Sequence, residues 1–135
     1  MKRKIVEIEG IGPIDKLKLE QAHINTVDEL LRRGSSKTGR KQISENSGID
    51  IKTISDWVSI ADLLRLDNLD FQLAYLIKRV GIDTIKELCK HNPEDIYTNL
   101  INIKETNEIM DISFSLSDIK ELIKQANKLK PTIYY

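Results

Sequence analysis

Apolar residues recur along this chain at helical intervals and not at strand intervals. Ile51, Ile54, Trp57, Val58, Ala61 and Leu64 are spaced to form one stripe of a helix from about Asp50 to Leu66. No segment alternates as a half-buried strand does. The strongest β-like run, Ile133-Tyr134-Tyr135, reads as a tail. Shifting the chain against itself by 58 residues aligns Val6 to Leu31 with Leu64 to Cys89 without a gap. Ile8 then falls on Leu66, Ile11 on Leu69, Leu19 on Ile77, Ile24 on Ile82, Val27 on Ile85 and Leu30 on Leu88. Farther on, Ile54, Trp57, Val58, Ala61 and Leu64 match Ile119, Leu122, Ile123, Ala126 and Leu129. That match needs about seven extra residues near Glu105 to Ile112. Apolar residues keep their places while polar ones change, as expected of two copies that pack alike.

Helix punctuation falls at matching places. Thr26-Val27-Asp28-Glu29 and Thr84-Ile85-Lys86-Glu87 both read as capping boxes, the threonine accepting from the third helical amide and the glutamate reaching back. Gly81 suits a left-handed helix stop, and His23 holds that place in the first copy. Asp50, Asn92 (followed by Pro93) and Ser115 are further helix starts, the last helix ending before Pro131. The pattern predicts an all-α fold of about eight or nine short helices. Its boundaries are 1–63 for the first copy, 64–130 for the second and 131–135 for a tail.

The most specific local motif is Ile8-Glu9-Gly10-Ile11-Gly12-Pro13. Two glycines flanking an apolar residue suit a tight turn whose apolar member plugs the core, and proline then starts a helix. The motif resembles the helix-hairpin-helix family, in which the turn offers backbone amides at a helix N-terminus to a DNA phosphate. Such contacts fit an anion and ignore base identity. The segment Ile8 to Leu31, the Thr38-Gly39-Arg40-Lys41 loop, Ser47-Gly48-Ile49 and Trp57 to Leu63 together resemble a family of tandem helix-hairpin-helix proteins, domain of unknown function 4332. The resemblance spans nearly the whole chain and implies the fold. It implies no activity.

The two copies differ in chemistry. In the first, Asp15 would oppose a phosphate bound at Gly10, Ile11 and Gly12, and Lys16 stands where the family pattern has a small packing residue. In the second, Asn68-Leu69-Asp70 replaces the glycine turn, Ala74 keeps the packing alanine, and Asp67 and Asp70 make the turn acidic. The second hairpin therefore reads as structural.

A stretch from Arg32 to Lys41 holds five basic residues, Arg32, Arg33, Lys37, Arg40 and Lys41, and no acid. Its glycines and serines suggest a flexible loop. It reads either as a solvated connection or, with Lys2, Arg3 and Lys4, as a positive surface for a nucleic-acid backbone. No aromatic residue is interleaved, which argues against a stacking site for single strands.

Charge adds a constraint. The chain has 135 residues with 21 basic and 21 acidic side chains, so no global field draws it to nucleic acid or anionic lipid. A single cysteine, Cys89, excludes an internal disulfide and a thiolate zinc cluster and reads as a buried, inert thiol. His23 and His91 lie at separate helix ends. No metal, cofactor or catalytic residue is expected, since no phosphate-cradling loop, nucleophile elbow or zinc motif occurs. The absence of a signal peptide or a run of about 20 apolar residues points to the cytoplasm and to no membrane contact. The expected function is non-catalytic. Either it is sequence-independent binding of duplex nucleic acid through Gly10, Ile11, Gly12, Lys16, Arg32, Arg33, Lys37, Arg40 and Lys41, or it is protein–protein adaptation. In the second case exposed Leu17 and Phe71 would mark the surface.

Overall fold

The computed structural model describes residues 5, 8, 11–67, 69, 71–106, 113–130 and 132–133. Among them are eight helices and no strand: α1 (Pro13–Gln21), α2 (Val27–Arg33), α3 (Lys37–Ser47), α4 (Ile51–Leu63), α5 (Phe71–Arg79), α6 (Ile85–Leu88), α7 (Pro93–Thr106) and α8 (Leu116–Ala126). The chain divides into two compact units at the end of α4. One holds Met1–Asp62 with Thr132–Tyr135, the other Leu63–Pro131. The stretch near Glu105 to Ile112, where the alignment of the sequence with itself needs extra residues, lies largely outside the described residues.

In the first unit α1 and α2 both pack on α3. The core joins Ile8, Ile11, Leu19, Ile24, Leu30, Ile43, Ile54, Trp57 and Val58. Each such side chain contributes about 1.5–3 kcal/mol of burial. Ile133 is buried there too, so the stretch read as a mere tail supplies a core residue. In the second unit α7 lies between α5 and α8, and α6 rests on α8. Ile77, Ile82, Ile85, Leu88, Leu100, Ile119 and Leu122 form its core. The Gln125 side chain clips residue 67 to α8, accepting from its amide at 2.8 Å and donating to its carbonyl at 3.4 Å.

The offset of 58 residues reappears in the hydrogen bonds. The amides of His23 and Ile24 donate to the carbonyls of Glu20 and Leu19. Those of Gly81 and Ile82 donate to Lys78 and Ile77. Both turns place a residue in the left-handed region, His23 at φ 64° and Gly81 at φ 95°. The following helices start alike, Thr26 and Thr84 each accepting at 3.1 Å from the amide of Glu29 or Glu87. Asp50, Asn92 and Ser115 cap α4, α7 and α8 through side-chain oxygens.

The boxes are only half formed at the two threonines. Glu29 accepts from the Thr26 hydroxyl instead of its amide, and Glu87 turns to Lys90. Ser115 and Asp118 make the reciprocal pair. Equivalence also fails at positions 16 and 74. Ala74 is fully buried, whereas Lys16 is exposed and pairs with Glu20 along α1 at 3.8 Å.

Candidate nucleic-acid interface

The basic stretch is not a loop. Arg32 and Arg33 end α2, only Gly34, Ser35 and Ser36 connect, and residues 37–41 form the first turns of α3. Ser36 caps α3 by accepting from the amide of Gly39 at 3.0 Å. Glycine costs about 1 kcal/mol inside a helix relative to alanine. Here its site leaves no alternative, because a β-carbon on residue 39 would overlap the carbonyl oxygen of Arg33. Gly34 is equally confined, by the side chain of Val58. The Thr38-Gly39-Arg40-Lys41 segment is thus helical because tertiary packing overrides the turn-like composition.

The five cations separate into two groups. Arg40 is buried, and its guanidinium donates to the carbonyl of Gly34 at 2.8 Å. Arg33 donates to the carbonyls of Ala22 and His23 at the end of α1. Ser35 donates to the carbonyl of Arg32 at 3.0 Å. These bonds satisfy carbonyls that a helix end leaves without an intrahelical partner, and the positive groups suit its negative end. Arg33 and Arg40 are therefore occupied in holding the α1, α2 and α3 ends together. Sequence reading missed this role. A basic residue near a helix end is a weak signal, and which carbonyl it reaches is set by the fold.

Arg32, Lys37 and Lys41 are exposed and form no ion pair with a described residue. Lys37 and Lys41 sit, with Arg40, in the opening turns of α3, where no acid lies in the first turn. Cations at the positive end of a helix dipole are unfavourable, by about 0.3–1 kcal/mol each. The fold thus concentrates positive charge where the helix itself least favours it.

The segment read as a hairpin lies at the other end of α1. Gly12 precedes α1, while Arg33 meets the other end of α1, nine residues or about 14 Å away. Ile11 is buried, its amide donating to the carbonyl of Ile8 at 3.1 Å. Gly10, with Lys2, Arg3 and Lys4, lies outside the described residues. Gly12 has φ −85° and ψ −177°, an extended backbone open to any residue, so its glycine is not required by conformation. A β-carbon there would meet nothing within 4 Å. The amides that open α1 have a carboxylate, Asp15, in their own first turn and no side-chain cap. Ile14 and Leu17 on α1 are 71% and 59% exposed. The Phe71 side chain lies outside the described residues.

A scan against family models matches residues 9–129 to Domain of unknown function (DUF4332). The chain belongs to the DUF4332 family. No curated protein and no solved structure matches it. In this DUF4332 chain no group of three or more potential metal ligands occurs among the described residues. Of the two histidines, His91 approaches Glu87 at 4.0 Å and His23 sits at the left-handed turn. Cys89 is half-buried instead of buried, and desolvation pushes its thiol pKa up from the ordinary value of 9.0. No helix among the described residues is long and apolar enough to cross a membrane.

Proposed function

We propose that the first unit of this DUF4332 protein is a non-catalytic helix-hairpin-helix module that binds the backbone of duplex nucleic acid without reading its sequence. The observation that carries this reading is a trio of exposed cations, Arg32 in the last turn of α2 with Lys37 and Lys41 in the opening turns of α3, in no ion pair with a described residue. Phosphate oxygens would relieve that accumulation of like charge. Arg33 and Arg40 act in support, fixing the corner from which the trio projects. Gly12, with Ile11 as the buried plug and Gly10 before it, offers a second backbone contact at the far end of α1, with Lys16 beside it. The length of α1, about 14 Å, is of the order of the roughly 12 Å width of a major groove, so both ends can address one duplex.

A titration of the full chain against a short duplex at several salt concentrations tests this. Three phosphate contacts give a log–log salt slope of about −2.7. Charge reversal at Arg32, Lys37 and Lys41 together is expected to flatten that slope and lower affinity at least about tenfold. Unchanged affinity overturns the assignment. Arg40 is excluded from the variant because reversing a buried guanidinium would disrupt the corner itself.

A second reading, a protein-interaction adaptor in a cytoplasmic setting, is favoured by Ile14 and Leu17. They place two large apolar side chains on the solvent face of α1. Partners that survive nuclease digestion and are lost on Ile14→Ser with Leu17→Ser would support it. Partners that vanish with nuclease would return the choice to nucleic acid.

A further inference from the structure

The face that α3 turns to solvent carries more than its two lysines. Arg40, Ile43 and Ser47 are buried, while Lys37, Thr38, Lys41, Gln42, Glu45 and Asn46 are exposed. At 3.6 residues per turn, the exposed six cover the half of the helix opposite the buried three. No apolar residue stands on that half, so it offers a protein partner no hydrophobic anchor. The side chains of Thr38, Gln42 and Asn46 form no hydrogen bond with a described residue. On α7 and at the end of α8 such groups fold back on their own helix, Thr98, Thr106 and Asn127 donating to carbonyls one turn before them.

The neighbours of α3 determine how that face is presented. Both α1 and α2 pack on α3. Only Gly34, Ser35 and Ser36 join α2 to α3, and Gly34 is confined by the Val58 side chain and the carbonyl of Leu30. Two packed helices joined by a three-residue turn with a glycine form the layout that presents a second helix, opening turns first, to the major groove of a DNA duplex. The opening turns of α3 hold no acid, and Glu45, the acid on this face, stands more than two turns in.

We infer that α3 lies in the major groove and that Thr38 and Gln42 contact base edges there. The inference rests on duplex binding by the first unit and goes one step beyond it. Arg32, Lys37 and Lys41 hold the backbone whatever the sequence, and Thr38 and Gln42 add a preference for certain bases. A helix about 10–12 Å across fits a groove about 12 Å wide and about 8.5 Å deep. The Gln42 amide carries a donor and an acceptor side by side, which match N7 and the N6 amino group of adenine. The Thr38 methyl group matches that of thymine. Four residues apart, the two side chains face the same way and stand about 6 Å apart along the axis. That is less than two base-pair steps of about 3.4 Å, so one site of about three base pairs serves both.

The full chain is used to select from DNA duplexes with a randomised centre, and an enriched duplex and a scrambled one are then titrated at several salt concentrations. A short motif containing adenine is expected to be enriched and to bind at least about fivefold more tightly than the scramble. That ratio is the lower end of the roughly 1–3 kcal/mol that one bidentate base contact discriminates. Gln42→Ala, an exposed and uncharged change, should erase the preference at its adenine while leaving the salt slope and the affinity for the scramble unmoved. Charge reversal at Arg32, Lys37 and Lys41 should weaken both duplexes alike. Duplex binding without an enriched motif overturns the inference and leaves backbone binding standing, and so does a motif preference that survives Thr38→Ala with Gln42→Ala. Absence of any duplex binding overturns both.

Discussion

The carbonyl oxygen of Arg33 occupies the place that a β-carbon on residue 39 would need, so Gly39 and Arg33 fix how closely α3 follows α2. Gly39→Ala is therefore expected to destabilise the chain by at least about 2 kcal/mol, although alanine is the better helix former. Thermal or urea unfolding measures it. Gly48→Ala, at an uncrowded left-handed position, should cost only about 1 kcal/mol. A Gly39→Ala loss no larger than that would mean the corner relaxes freely.

Arg33 and Arg40 should behave unlike their basic neighbours. Arg40→Met leaves the Gly34 carbonyl without its donor and should cost about 1–3 kcal/mol of stability. Arg32→Met and Lys41→Met, at exposed sites, should stay within about 0.5 kcal/mol. Denaturant titration of the three variants separates side chains that hold the corner from those that project from it.

His23 holds a backbone conformation that costs a residue with a side chain about 1–2 kcal/mol, and the matching residue 58 positions on is Gly81. Glycine at 23 removes that strain but adds about 0.5–1 kcal/mol of chain entropy to the unfolded state. His23→Gly is expected to raise stability by about 0.5 kcal/mol. The imidazole takes no part in the proposed contacts, so nucleic-acid affinity should not move.

Cys89 couples stability to alkaline pH. Its folded pKa lies above the unfolded value of 9.0, so the folded state prefers the neutral thiol. That preference is fully expressed below pH 9.0 and is lost as pH rises through the higher folded pKa. Stability of the chain relative to Cys89→Ser should therefore fall with pH in that alkaline window and stay level below it. Paired unfolding curves across pH 8 to 10.5, about the range bracketing a thiol, give the difference.

Local signals were legible in the sequence. Thr26, Thr84, Asn92 and Ser115 open helices because a cap needs only the next few residues, and His23 and Gly81 close them for the same reason. The stripe through Ile54, Trp57, Val58, Ala61 and Leu64 followed from helical period alone, but Ile51, read as its first member, is 45% exposed at the start of α4. What escaped depended on distant neighbours. Residues 38–41 look like a loop until Arg33 is seen above Gly39. Arg40 looks like a surface cation until the Gly34 carbonyl is found beside it. Lys16 and Ala74 occupy equivalent places in the chain and opposite environments in the fold. Of the candidate site, sequence identified the cations; which of them face solvent was decided by packing.

Ile133 bears on the order in which the molecule is made. It is buried in the first unit, yet the whole of the second unit precedes it in the chain. A ribosome would finish residues 63–131 before the first unit received its last core side chain. Ile133→Ala, expected to cost about 2 kcal/mol or more, should therefore slow maturation of the first unit while leaving the second intact. The boundary at α4 is a boundary of packing, and it is not a place where synthesis can pause with one half complete.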